Sequence, residues 1–185
     1  MFSFEDPSLP VPNEVALDTS FVINVLIAAE PLHVVSQAYM TRLAAEKTTV
    51  YYNRLLELEF AEVAFKLAVV EKHGRRDWKR KRGDGRVRRR AGRLSDELRA
   101  AWTQLLTAVP HLMIELDEVA DSVPAIMTKY GLESYDAAHA ATATYVGAGG
   151  LVTTDSGFGR VPANVLPLYV DASRVRTCRR HRGGK

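Results

Sequence analysis

The chain reads as an α/β domain, a central parallel sheet of about five strands flanked by helices. Two observations predict it. Short β-branched or apolar runs alternate with longer runs of helical periodicity, and two of the short runs end in an acid: Val15-Ala16-Leu17-Asp18 and Leu151-Val152-Thr153-Thr154-Asp155. In parallel sheets ligands gather at the carboxyl ends of the strands, so acids there are candidates for chemistry.

Each element has its own signal. The first thirteen residues hold three prolines and read as irregular. Glu14–Asp18 is a short buried strand, with Thr19 or Ser20 placed to cap a helix over Phe21–Ala29 that stops near Pro31. His33–Glu46 is a second helix, and the β-branched and aromatic run Thr48–Tyr52 a second strand. Asn53 is a candidate cap for the helix that follows, where Leu56, Phe60, Val63, Leu67 and Val70 recur at three- and four-residue steps. Glycines at 74, 83, 85 and 92 interrupt regularity before a helix over Ser95–Ala108. Leu112–Leu116 is a third strand, and Asp117–Tyr130 a helix closed by Gly131. Ser134 opens an alanine-rich helix through Tyr145. Leu151–Asp155 and Val165–Val170 complete the sheet.

With 185 residues the chain suits one domain, over 1–173, followed by a basic flexible tail over 174–185. Charge is unevenly placed. Residues 72–93 hold twelve Lys/Arg against two Asp, a net of +10; the whole chain is +3, leaving −7 for the remainder. This basic arm, part helix and part loop, suits a polyanion such as nucleic acid; the plainer account is a solvated loop. Arg88, Arg89 and Arg90 are the candidate RNA-binding residues, and Trp78 can stack on a base or anchor the arm. No run approaches the ~18 apolar residues of a membrane span. The opening resembles neither a secretory signal nor a transit peptide, and the single cysteine, Cys178, excludes an internal disulfide. The expectation is a cytoplasmic protein.

Four acids can converge on one sheet edge: Asp18 and Asp155 at strand ends, Glu59 early in the helix after the second strand, and Asp136 in the first turn of its helix. Each alone is explained as a cap, a turn former or a partner for a helix dipole. Together they would repel one another, and a hard divalent cation removes that penalty. Glu57 competes with Glu59. The two lie about 200° apart around a helix, so both cannot face one ion. Glu62, a turn after Glu59, can assist or be solvated. His139, one turn after Asp136, reads as a partly buried packing residue rather than a base.

Three segments resemble the PIN-domain nucleases, and most closely the VapC-like toxins of toxin–antitoxin pairs. They are Val15 to Ser20, the stretch Tyr130-Gly131-Leu132-Glu133-Ser134-Tyr135-Asp136-Ala137-Ala138-His139-Ala140-Ala141-Thr142-Ala143, and Leu151 to Asp155 with Phe158. The resemblance implies a PIN-like fold and a metal-dependent endoribonuclease. Asp18, Glu59, Asp136 and Asp155 would hold Mg²⁺ or Mn²⁺, with Thr19 and Thr154 in support. It also implies a cognate antitoxin as partner and a homodimer. The basic arm departs from the compact members of the family. Two alternatives carry different expectations. An inactive PIN-fold module would bind RNA or protein without cleaving. A haloacid dehalogenase-type phosphatase would need a second Asp where Ser20 stands.

Overall fold

The computed structural model describes residues 1–74 and 79–182, with side chains to 177. Trp78 and the end of the basic tail lie outside the described side chains.

Six strands form one sheet in the order β1-β6-β5-β2-β3-β4, every neighbouring pair parallel. They are β1 (Phe2–Ser3), β2 (Glu14–Leu17), β3 (Thr49–Asn53), β4 (His111–Ile114), β5 (Leu151–Val152) and β6 (Leu168–Val170). The helices are α1 (Thr19–Leu26), α2 (His33–Ala45), α3 (Leu55–His73), α4 (Gly85–Leu106), α5 (Val123–Tyr130), α6 (Ser134–Tyr145) and α7 (Ala172–Arg182). No helix among the described residues is long and apolar enough to cross a membrane.

The chain divides into two compact units, Met1–Arg54 with Ala108–Lys185, and Leu55–Thr107. The first contains the sheet. β2 lies between β3 and β5, so the chain leaves β2 toward one side and returns on the other. That reversal is the topological switch point, where ligands settle in folds of this kind. Alanines 137, 138, 140, 141 and 143 of α6 are all buried, and their small side chains let the helix lie close to β2 and β3. Leu151, Phe158, Leu166 and Leu168 complete this core. Another cluster stacks Phe4 on Tyr39 at 5.4 Å between ring centroids, with Phe21 edge-on to both.

β1 is a sixth strand where the sequence reads an irregular start. Arg42 donates to the carbonyls of Asp6 (3.0 Å) and Leu9 (2.7 Å), tying the proline-rich segment to α2. These long-range bonds leave no periodic trace. The expected helix over Asp117–Tyr130 is two 3₁₀ turns followed by α5, with Pro124 near its start. Proline lacks an N–H, so it belongs in a first turn rather than a helix interior. Gly131 closes α5 in the left-handed region (φ 64°), as its position predicts. Ser134 lies inside α6, one residue after the cap position at Glu133.

The second unit pairs α3 with α4 through Ala68, Val69, Val87 and Ala91, with Phe60 edge-on to Trp102. The sequence puts irregular chain at Gly85 and Gly92, whereas α4 runs through both. The missed signal is Asp84. Its Oδ1 accepts from the N–H groups of Arg86 (2.7 Å) and Val87 (3.2 Å), and its Oδ2 meets Lys72 Nζ at 2.6 Å. The Lys72 bond and these two N–H groups hold its carboxyl well below the usual range. α7 likewise runs through chain that reads as a tail. Asp171 accepts from the N–H groups of Ser173 and Arg174, and Glu5 from that of Ala172.

Candidate metal centre

Asp18 is the residue after β2 and also the N-cap of α1, so one carboxylate ends a strand and starts a helix. It is buried, 3 % exposed. Its Oδ2 accepts from Thr153 Oγ1 (2.7 Å), from the N–H of Ser20 (3.3 Å) and from Ser20 Oγ. Each donor is held in turn: the N–H of Asp155 donates to Thr153 Oγ1 at 2.9 Å, and that of Thr154 to Ser20 Oγ at 3.0 Å. The β5 exit loop is thereby locked onto the β2 exit loop, and Asp18 has one orientation.

The hydroxyls bonded to Asp18 are those of Ser20 and Thr153, adjacent in sequence to the Thr19 and Thr154 expected in support. Thr19 Oγ1 lies 3.3 Å from His139 Nε2, while Thr154 Oγ1 accepts from Asn24 at 3.2 Å. The choice between adjacent hydroxyls turns on which way each faces at a strand end, and periodicity is blind to that.

Asp136 sits half-buried in the first turn of α6, where a helix dipole favours an anion. Asp155 is exposed after β5, and its Oδ1 accepts from the N–H of Gly157 at 2.6 Å. Gly157 joins the two acids. A Cβ placed there would come 2.9 Å from Asp136 Oδ2 and 3.2 Å from Asp155 Oδ1. The glycine leaves open the space the two carboxylates face. Burial, and then the charges of Asp18 and Asp155, push the carboxyl of Asp136 up to about 7, against a lowering by His139. Asp18, Asp136 and Asp155 therefore repel across one small volume.

Oxygen donors that repel one another suit a hard divalent cation, and the space kept clear by Gly157 lies between two of them. Among the described residues, no three His, Cys, Asp or Glu side chains are grouped closely enough to hold a metal ion as they stand. The oxygen-only donor set and the pair of carboxylates facing Gly157 are the features that suit a hard cation.

Glu57, Glu59 and Glu62 belong to α3 in the helical unit. Glu57 and Glu59 are both partly buried, and Glu62 is engaged by Arg82 in a two-pronged ion pair, 2.9 Å at each oxygen.

His139 is more deeply placed than its sequence position suggests, 1 % exposed. Thr142 Oγ1 donates to the carbonyl of Ala138 and so accepts from Asn53 Nδ2, both at 2.9 Å. The same amide nitrogen lies 3.4 Å from His139 Nδ1. His139 Nε2 lies 3.8 Å from Asp18 Oδ1.

A model of the PIN domain matches residues 15–164. The chain belongs to the PIN-domain family. The fold is of the nuclease type, and PIN domains are generally hydrolases that use divalent metal ions. Among solved structures, the crystal structure of PAE2754 from Pyrobaculum aerophilum is similar at 20 % identity over 90 % of each chain, with a TM-score of 0.48. No curated protein matches. In this PIN domain the three aspartates lie on the β2 and β5 exits and the first turn of α6.

A pH dependence follows. The ordinary value for Asp136 is 3.8 and its folded value about 7. Between these the unfolded chain has lost the proton that the folded one keeps, so stability falls as pH rises through that window and levels above it. In chelator, the melting temperature should decline from about pH 4 to pH 7. Asp136→Asn should flatten the decline. An unchanged slope would mean that neither burial nor the neighbouring charges raise Asp136.

Proposed function

We propose that the protein is a metal-dependent endoribonuclease. The observation that carries this reading is the set of three aspartates whose charges meet, two of them facing the space kept open by Gly157 and the third, Asp18, held by Ser20 and Thr153. Asp18, Asp136 and Asp155 would hold Mg²⁺ or Mn²⁺, with Glu59 as the fourth acid. The bound ion would supply a Lewis acid for a phosphodiester and lower the pKa of the attacking water. The chain's own contribution is orientation. Ser20 and Thr153 fix the Oδ2 edge of Asp18, and the N-termini of α1 and α6 offset the charge of Asp18 and Asp136. The test is cleavage of end-labelled RNA in Mn²⁺ and in chelator. Cleavage in both, or in neither, would contradict the proposal.

The proposal extends to a VapC-like toxin paired with an antitoxin and acting as a homodimer. It rests on the resemblance of the stretch Tyr130–Ala143 to that group. A neighbouring reading frame for a short DNA-binding protein would support it.

The basic arm has a separate part, binding RNA without doing chemistry. Arg88 and Arg89 are exposed on α4, while Arg90 pairs with Glu71 at 3.0 Å and Glu97 at 3.8 Å. Arg86, Arg89 and Arg93, all exposed, recur at i, i+3 and i+7, opposite the buried Val87, Ala91 and Leu98. Phosphate contacts release counterions, at ~0.7 per contact in a log–log salt plot for single strands. Arg88→Ala with Arg89→Ala should flatten that slope by about 1.4 and leave turnover at saturating RNA nearly unchanged. Arg90→Ala should move the slope less. A double variant with the wild-type slope would assign the arm to a protein partner.

A further inference from the structure

Beside Asp155 lies a pocket of about 250 Å³, whose lining includes Met1, Gly159, Val170, Arg174 and Thr177. It is smaller than the ~300–1,000 Å³ typical of drug-sized ligands, and its walls are largely apolar. Met1 supplies a thioether wall that can adapt to a flat group. Gly159 gives Met1 its place, since a Cβ there would come 3.3 Å from Met1 Cε.

Among the described residues, Arg174 supplies a basic side chain to this lining. Its position is built. Nη2 donates to the carbonyl of Thr154 at 3.1 Å, and Nε lies 3.7 Å from Asp171 Oδ2. Asp171 is itself buried at the start of α7. The guanidinium is thus tied to the loop that carries Asp155, and no described protein group accepts from its Nη1. A candidate catalytic carboxylate, an apolar recess and a fixed cation follow one another on one surface. A phosphodiester chain has this same sequence of features: a reacting phosphate, a base, a neighbouring phosphate. Single-stranded RNA is recognised by splaying out a base and stacking or burying it, and arginine suits the adjoining phosphate.

We propose that this pocket binds the nucleotide flanking the scissile phosphate, its base against Met1 and its outer phosphate on Arg174. The inference deepens the ribonuclease reading and rests on it. It makes Arg174 and the pocket wall the source of preference at one position next to the cut.

The test uses the full chain and a fluorescent single-stranded hexaribonucleotide, with binding measured by anisotropy in chelator and cleavage measured in Mn²⁺. A set of hexamers carries one abasic nucleotide at each position in turn. The wild type should lose roughly ten-fold in affinity for the abasic change at one position adjoining the cut, and little elsewhere. Thr177→Trp, which fills the pocket from α7, should bind the intact hexamer as weakly as the wild type binds that abasic one, and should ignore the abasic change. Arg174→Ala should weaken binding on the order of ten-fold and lower the salt slope by about 0.7, while Arg174→Lys keeps the slope. A flat abasic scan, or wild-type binding by Thr177→Trp, overturns the pocket assignment even if RNA is cut normally. Position-dependent binding with no cleavage in Mn²⁺ overturns the ribonuclease reading and leaves a nucleotide site.

Discussion

Asp18→Asn should abolish metal-dependent RNA cleavage, with a loss of about 10³-fold or more in turnover and little change in fold. The size follows from what the residue would do. A metal-assisted phosphoryl site draws several kcal/mol of transition-state stabilisation from the ion, and each ~1.4 kcal/mol is a factor of ten in rate. Asn is nearly isosteric and can still accept from Thr153 and Ser20. Its amide carries no charge, and an NH₂ replaces one carboxylate oxygen. The controls sit next to it. Thr153→Val removes the 2.7 Å hydrogen bond but keeps the carboxylate, so it should reduce turnover by a smaller factor. Both are read from single-turnover cleavage of an end-labelled RNA, with melting temperature as the check on folding. Cleavage by Asp18→Asn at even a tenth of the wild-type rate would remove Asp18 from the reaction.

Glu59→Gln should be comparably severe, while Glu57→Gln leaves most of the activity. The two glutamates are two residues apart on α3, about 200° around it, so a change at one is no proxy for the other. Glu62→Gln separates a third role. Glu62 pairs with Arg82 within the helical unit, so its loss should lower stability modestly and spare turnover. The reverse ranking, Glu57 severe and Glu59 mild, would move the fourth acid by two residues along α3.

The alternation of strands and helices was legible because each element carries its own periodicity or terminator. Gly131 and the buried alanine face of α6 are examples. What escaped depends on distant partners. β1 exists by pairing with β6 at the far end of the chain, and α7 begins on a carboxylate of Glu5. The arm misled differently. Its glycines suggested loop, yet Asp84 satisfies the first N–H groups of α4 and outweighs Gly85 and Gly92. At the candidate site, acids at strand ends were visible as a pattern. Which hydroxyls face them was not, because Ser20 and Thr153 are set by the locking of two loops 133 residues apart. His139 reads as a packing residue from spacing alone; its approaches to Thr19, Asn53 and Asp18 come from chain at least 86 residues away.

The central claim is that these carboxylates hold a divalent ion in the native state, and the most direct measurement is the melting temperature as Mn²⁺ is added. A ligand that binds only the folded chain stabilises it by RT ln(1 + [L]/Kd), about 2.7 kcal/mol at a hundred times Kd. The wild type should show a rise that grows with Mn²⁺ and is larger at pH 7 than at pH 5, where Asp136 keeps its proton. In Asp18→Asn the rise should largely vanish. An equal rise in both proteins would place the ion elsewhere and contradict the account.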